Sequence, residues 1–122
     1  MGPYSTSMRA GPMLYLSGQG AIDPATGEAT PGDIEAETRQ TLANVERLLR
    51  TEGFSFTDLV QVTCYLTDLR EWSRMNEAYA DVLGEDARPT RTAVGVAELP
   101  FGLRIEMTCV AYRADAPGRL SG

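Results

Sequence analysis

The sequence contains no histidine and no lysine. Without histidine there is no Ser-His-Asp triad, no Cys-His pair and no histidine-bearing zinc site; without lysine there is no Schiff-base enzyme and no Walker-type phosphate lysine. The two cysteines, Cys64 and Cys109, are too few for a thiolate zinc cluster or a disulfide scaffold, and neither has a CxxC partner. Long apolar runs are missing too. None approaches the roughly 18 residues of a membrane helix, and no basic-then-apolar segment opens the chain. The expectation is a soluble, cytoplasmic protein with reduced thiols, no metal and no cofactor. Any chemistry must then come from Arg, carboxylates, Tyr, Ser, Thr, Asn or backbone groups.

What remains is 122 residues, 43% hydrophobic, which suits one domain. Residues 1–113 are expected to form it, with the Gly-, Ala- and Ser-rich stretch 114–122 as a fraying tail. A chain of this size buries roughly 65% of its unfolded surface, so part of its stability is expected from oligomerisation. The net charge is −6 and all 11 basic residues are arginine. That balance argues against a dedicated nucleic-acid binder, which needs a basic excess to neutralise phosphates.

Residues 14–17 read as a strand running into the bend Ser17-Gly18-Gln19-Gly20, with residues 4–9 as a hairpin partner across Ala10-Gly11-Pro12. Asp23-Pro24-Ala25-Thr26-Gly27 is a turn signal. A long amphipathic helix is predicted from Thr30 as N-cap and Pro31 at the first helical position, with Asp33 as acidic partner. Ile34, Leu42, Val45, Leu48 and Leu49 share one side of it, and Gly53 stops it. Residues 59–66 alternate as a strand with Val60, Val62, Cys64 and Leu66 on one face. A second helix over about 69–83 carries Leu69, Trp72, Met75, Tyr79 and Val82 on its apolar side, where plain core packing is the expectation. Strands over 90–98 and 103–112 flank the turn Leu99-Pro100-Phe101-Gly102. The order β-β-α-β-α-β-β predicts an α+β fold with two helices on one face of a mainly antiparallel or mixed sheet. The other face would be bare in a monomer, and a second subunit is the natural cover.

Three features can carry chemistry. Arg91 sits in the apolar strand Thr90-Arg91-Thr92-Ala93-Val94, where its guanidinium is a structural ion pair, an edge-exposed charge or a clamp for a substrate carboxylate. Glu106, in Leu103-Arg104-Ile105-Glu106-Met107, is either a partner for Arg91 or Arg104 or a carboxylate of raised pKa that can orient a water. If the last two strands form a hairpin with Glu98 opposite Leu103, Glu106 opposes Gly95, roughly 13 Å along the strand from Arg91. A direct pair within one chain would then be strained, whereas a site between subunits could bring the two together. The Ser17-Gly18-Gln19-Gly20 bend is the third feature, either a polar-ligand site or simply a turn. Cys64 and Cys109 are expected as buried, inert thiols, and Glu35 with Glu37, like Glu85 with Asp86, as solvated charge.

Taken together these residues resemble the Rid family of reactive intermediate deaminases, the YjgF-like proteins. The resemblance is carried by Pro89-Thr90-Arg91-Thr92-Ala93-Val94-Gly95-Val96-Ala97-Glu98-Leu99-Pro100 followed by Arg104-Ile105-Glu106-Met107. Gly2-Pro3-Tyr4, Leu14-Tyr15-Leu16-Ser17-Gly18-Gln19, Thr38-Arg39-Gln40-Thr41-Leu42-Ala43-Asn44-Val45 and Asn76-Glu77-Ala78-Tyr79 match in order as well. The resemblance implies a chorismate mutase-like fold and a homotrimer whose sheets form a central barrel, with three clefts between subunits. It implies that Arg91 grips the carboxylate of 2-aminoacrylate or 2-iminopropanoate while Glu106 positions the attacking water. Ser17 and Tyr4 would line the cleft and Asn76 would hold its wall. Many relatives carry Cys where this chain has Ala93, whose backbone carbonyl can still hold the water. The implied function is an enamine/imine deaminase producing 2-oxo acids and ammonia. The alternatives are a non-catalytic small-acid-binding trimer, a pathway-specific deaminase of a larger imine and, weakest, a ribonuclease or translation inhibitor. The expected partners are a small imine acid and further copies of the chain, with neither nucleic acid nor membrane.

Overall fold

The computed structural model describes residues 6–114; Tyr4 and the stretch 115–122 lie outside the described residues. Strands β1 (Ser7–Ala10) and β2 (Met13–Gln19) form an antiparallel hairpin. Its tight turn rests on Gly11, whose φ of 60° is available to glycine without a Cβ penalty. Helix α1 (Ile34–Thr51), strand β3 (Leu59–Leu66), helix α2 (Trp72–Leu83), strand β4 (Thr90–Gly95) and strand β5 (Ile105–Tyr112) follow. The five strands form one mixed sheet in the order β1-β2-β5-β3-β4, with both helices on one face. The predicted α+β class is the observed one. Among the described residues no helix is long and apolar enough to cross a membrane.

The last two strands are not a hairpin. β5 inserts between β2 and β3, and β4 pairs in parallel with the far side of β3. The Leu99–Gly102 segment reads locally as a turn between neighbours, but the chain crosses over β3 before β5 begins. A short 3-10 turn at Pro100–Gly102, with Phe101 at φ 62°, reverses it there. β4 stops at Gly95 and β5 starts at Ile105, each shorter than predicted.

Helix α1 is capped by Asp33, whose Oδ1 accepts from the Ala36 N–H at 2.8 Å, and not by Thr30. Thr30 is drawn off to the preceding loop, where its N–H and hydroxyl both donate to the Ala21 carbonyl. Gly53 does end the helix: its N–H reaches the Arg50 carbonyl and the Phe54 N–H reaches Leu49, with Phe54 and Leu49 both buried. The core joins the α1 stripe Ile34, Leu42, Val45 and Leu49 to Leu14, Val62, Leu66, Ile105 and Met107 of the sheet. Cys64 and Cys109 are buried free thiols in that core, pushed up to about 11 and about 12 chiefly by burial.

Further expectations fail as well. A bulge between Leu59 and Gln61 turns Val60 out, leaving it 41% exposed rather than aligned with Val62. The predicted second helix opens as a 3-10 turn at Leu69–Glu71, and Leu69 and Trp72 are exposed. Only Met75, Ala78, Tyr79 and Leu83 of α2 are buried.

Glu37 is not solvated charge: it is 1% exposed. Its two carboxylate oxygens accept from the backbone N–H of Arg104 at 2.7 Å and of Gly32 at 3.1 Å, tying the start of α1 to the lead into β5. Glu37→Ala strands both donors and is expected to cost roughly 3 kcal/mol at fixed protein concentration, read from urea unfolding. Glu37→Gln, which keeps an acceptor, should recover most of that loss.

Candidate functional site

Residues opposed across a sheet share a face, so the register decides where each candidate points. Arg91 lies level with Val62 and Cys109, on the face that carries the helices. There the side chains of Trp72, Asn76 and Tyr79, spaced along one stripe of α2, close on its guanidinium. Nη1 donates to the Asn76 Oδ1, and the carbon of the guanidinium stands 4.7 Å from the Tyr79 ring centroid and 5.7 Å from that of Trp72. Every one of these groups is neutral. Among the described residues no carboxylate comes within ion-pairing distance of Arg91, so the structural ion pair weighed from sequence is not made there. A guanidinium held by an amide and two aromatic faces keeps its full charge for an anion.

Tyr79 is itself constrained. Its hydroxyl is buried without a hydrogen-bond partner, and burial above all, reinforced by the Cys64 thiol, pushes it up to about 12. It is therefore a neutral phenol at any ordinary pH and serves as a surface for Arg91, not as a proton carrier. Trp72 was assigned to the core by its helical spacing. The structure instead leaves it 42% exposed beside Arg91, a role that no local pattern could show, because the partner lies 19 positions on along the chain.

Glu106 belongs to the other face. It lies level with Tyr65, and through Tyr65 with Val94, three positions along the strands from the Arg91 row. That offset is about 10 Å along the strands with a similar distance across them, and its odd count puts the two side chains on opposite sides of the sheet. Arg104 is no partner either: its Nε donates to the Gly32 carbonyl at 2.9 Å and its Nη1 meets Glu71. Burial raises Glu106 above the usual carboxylate range.

Ser17 and Gly18 are not a bend beyond the strand, as their glycines suggest, but lie inside β2 at its register shift between Leu16 and Gln19, and Gly18 is brought to Glu106 on β5. A Cβ placed on Gly18 would stand 2.4 Å from the Glu106 Oε2, so the carboxylate occupies the space that glycine leaves. The Ser17 hydroxyl donates to the Thr6 carbonyl at 3.2 Å, which leaves its oxygen able to accept. Ala93 shares the Arg91 face, level with Cys64. The structure thus assembles two halves, one around Arg91 with Asn76 and one around Glu106 with Gly18, and does not join them within one chain. Tyr4 lies outside the described residues.

On the bare face Met8, Tyr15, Val94 and Tyr112 are exposed large apolar groups. A cleft of about 480 Å³ lies against the second half of α2 and the segment after it, lined by Asn76, Tyr79 and Arg91 among others.

Comparison with known proteins gives a consistent result. The sequence profile of the family described as Endoribonuclease L-PSP matches residues 1–113. A RutC family protein of Pyrococcus horikoshii is 44% identical over 113 residues, covering 93% of this chain and 89% of the relative. The 2-iminobutanoate/2-iminopropanoate deaminase of Bos taurus is 36% identical over 113 residues, covering 93% and 82%. Among solved structures, E. coli TdcF with bound serine superposes with a TM-score of 0.86 at 35% identity, covering 93% of this chain and 90% of that one.

Proposed function

The chain belongs to the Endoribonuclease L-PSP (YjgF/Rid) family, which includes proteins named as imine deaminases, and from that membership we propose that it hydrolyses small 2-imino acids to 2-oxo acids and ammonia. The observation that carries this reading is Arg91, a cation fixed by neutral groups and left without a carboxylate. It supplies the bidentate seat that a substrate carboxylate needs. Serine bound to TdcF, a small amino acid carrying such a carboxylate, supports the same substrate class.

The reaction asks little of the protein beyond placement, because a protonated imine is already an electrophile. Water adds to the imine carbon while its proton passes to Glu106. Glu106 returns the proton to the nitrogen of the resulting carbinolamine, the C–N bond breaks as the C=O forms, and the hydroxyl proton leaves with ammonia as ammonium, giving the 2-oxo acid. Asn76 holds Arg91, and in this reading the Ala93 carbonyl and Ser17 contact water or substrate.

Since Arg91 and Glu106 lie on opposite faces of one sheet, the proposal requires neighbouring subunits to complete each cleft. A homotrimer with the bare faces turned into a central barrel would also cover Met8, Tyr15, Val94 and Tyr112. A net charge of −6 does not favour an RNA substrate. The test is to generate 2-iminopropanoate in place with an amino-acid oxidase and follow its loss. Acceleration over spontaneous hydrolysis is expected; its absence from a protein shown to be trimeric would overturn the proposal for this substrate.

Gly18 provides a separate check. Gly18→Ala must displace only the flexible end of Glu106, and the backbone there needs no positive φ. Imine turnover should fall at least tenfold while the melting temperature moves by no more than a few degrees. A variant with full turnover would mean that the carboxylate does not work from its observed position.

A further inference from the structure

Arg91 is not the only uncommitted cation in its cleft. Arg88 lines the same 480 Å³ space, and its Nε donates to the Glu85 carbonyl at 2.9 Å. No carboxylate pairs with it among the described residues, whereas Arg39, Arg50, Arg70, Arg74 and Arg104 each have one. Of the two acids on the cleft wall, Asp81 is already engaged by Arg39 at 2.8 Å. Two arginines and one otherwise unengaged acid, Glu85, thus line this cleft.

The Nε bond bends Arg88 back toward the end of α2 and leaves both of its Nη groups as donors. An anion held at Arg91 would share its cleft with this second cation. A substrate with a single carboxylate makes no use of it.

Resting on the deaminase reading above, we propose that this cleft selects imino acids with a second carboxylate, Arg91 taking the carboxylate beside the imine and Arg88 the distal one. The substrate class is the dicarboxylic 2-imino acids of four or five carbons. The chemical step is unchanged: water replaces the imine nitrogen and a 2-oxo diacid and ammonia leave.

The test compares 2-iminosuccinate, made in place from aspartate by an aspartate oxidase, with 2-iminopropanoate made from alanine. The wild-type protein should prefer the diacid. Arg88→Ala, a change at an exposed position outside the catalytic set, should lower kcat/KM for the diacid by about 10- to 100-fold and alter that for 2-iminopropanoate less than twofold. Equal effects on both substrates, or none on either, would overturn the proposal. Calorimetry with succinate and propanoate decides the matter even if neither imine is turned over. Tighter succinate binding that is lost in Arg88→Ala would uphold the second seat while the deaminase reading fails, and equal binding of the two acids would remove the seat itself.

Discussion

Arg91→Ala is expected to reduce kcat/KM for 2-iminopropanoate by roughly 30- to 5,000-fold, the span for losing one half of a buried charge-assisted contact. The fold should survive. Arg91 sits on an edge strand and its partners are an amide and two rings, so its removal strands no opposite charge. Arg91→Lys separates charge from geometry. A lysine restores the positive charge but not the planar fork or the stacking on Tyr79 and Trp72, so a deficit of about 10- to 100-fold should persist. Steady-state kinetics on the in-place imine, with sedimentation to show an unchanged assembly, reads both variants. Full activity in the alanine variant would dismiss the clamp.

Glu106→Gln is expected to lower kcat by roughly 100- to 10,000-fold, the usual range for a positioned general base. The wild-type rate should fall on the acid side as pH drops through the Glu106 pKa. Because burial raises that pKa above its ordinary 4.5, the acid limb must lie above 4.5. The glutamine variant should lose the limb along with the rate. Stability should move the other way. A carboxyl whose pKa is raised by folding is destabilising when ionised, fully so above its folded pKa and not at all below its unfolded one. Glu106→Gln should therefore be no less stable than wild type at neutral pH, with the difference vanishing toward acid. An inactive variant that is also badly destabilised would point to a structural role.

These expectations begin from residues that stand out in the sequence for being charged inside apolar strands. Arg91 and Glu106 are legible in that way; Ser17-Gly18 reads as a bend, whereas β2 runs on through it to Gln19 with a register shift after Leu16. The relation of Arg91 to Glu106 is not legible. Reading Leu99–Gly102 as a hairpin placed the two on neighbouring strands, whereas β3 lies between them. The predicted consequence, that a direct pair within one chain is strained, holds for a different reason: they occupy opposite faces. Trp72 and Glu37 depart from their local pattern for the same underlying cause. Helical spacing put Trp72 in the core and local charge put Glu37 in water, but Arg91 and the Arg104 backbone, far along the chain, decide both.

The sequence by itself determined the elements and the class of the fold. Period-two alternation marks β3 at its observed bounds, 3.6-residue periodicity and Gly53 mark α1, and the absence of histidine and lysine confines any chemistry to a short list of groups. Each of these is a property of residues within a few positions of one another. Tertiary structure alone decided the parallel seating of β4, the neutral cradle around Arg91, the space that Gly18 leaves for Glu106 and the sharing of one cleft by Arg88 and Arg91. Those depend on strand partners and packing chosen across tens of residues, where burial of the whole core outweighs the preference of any single segment.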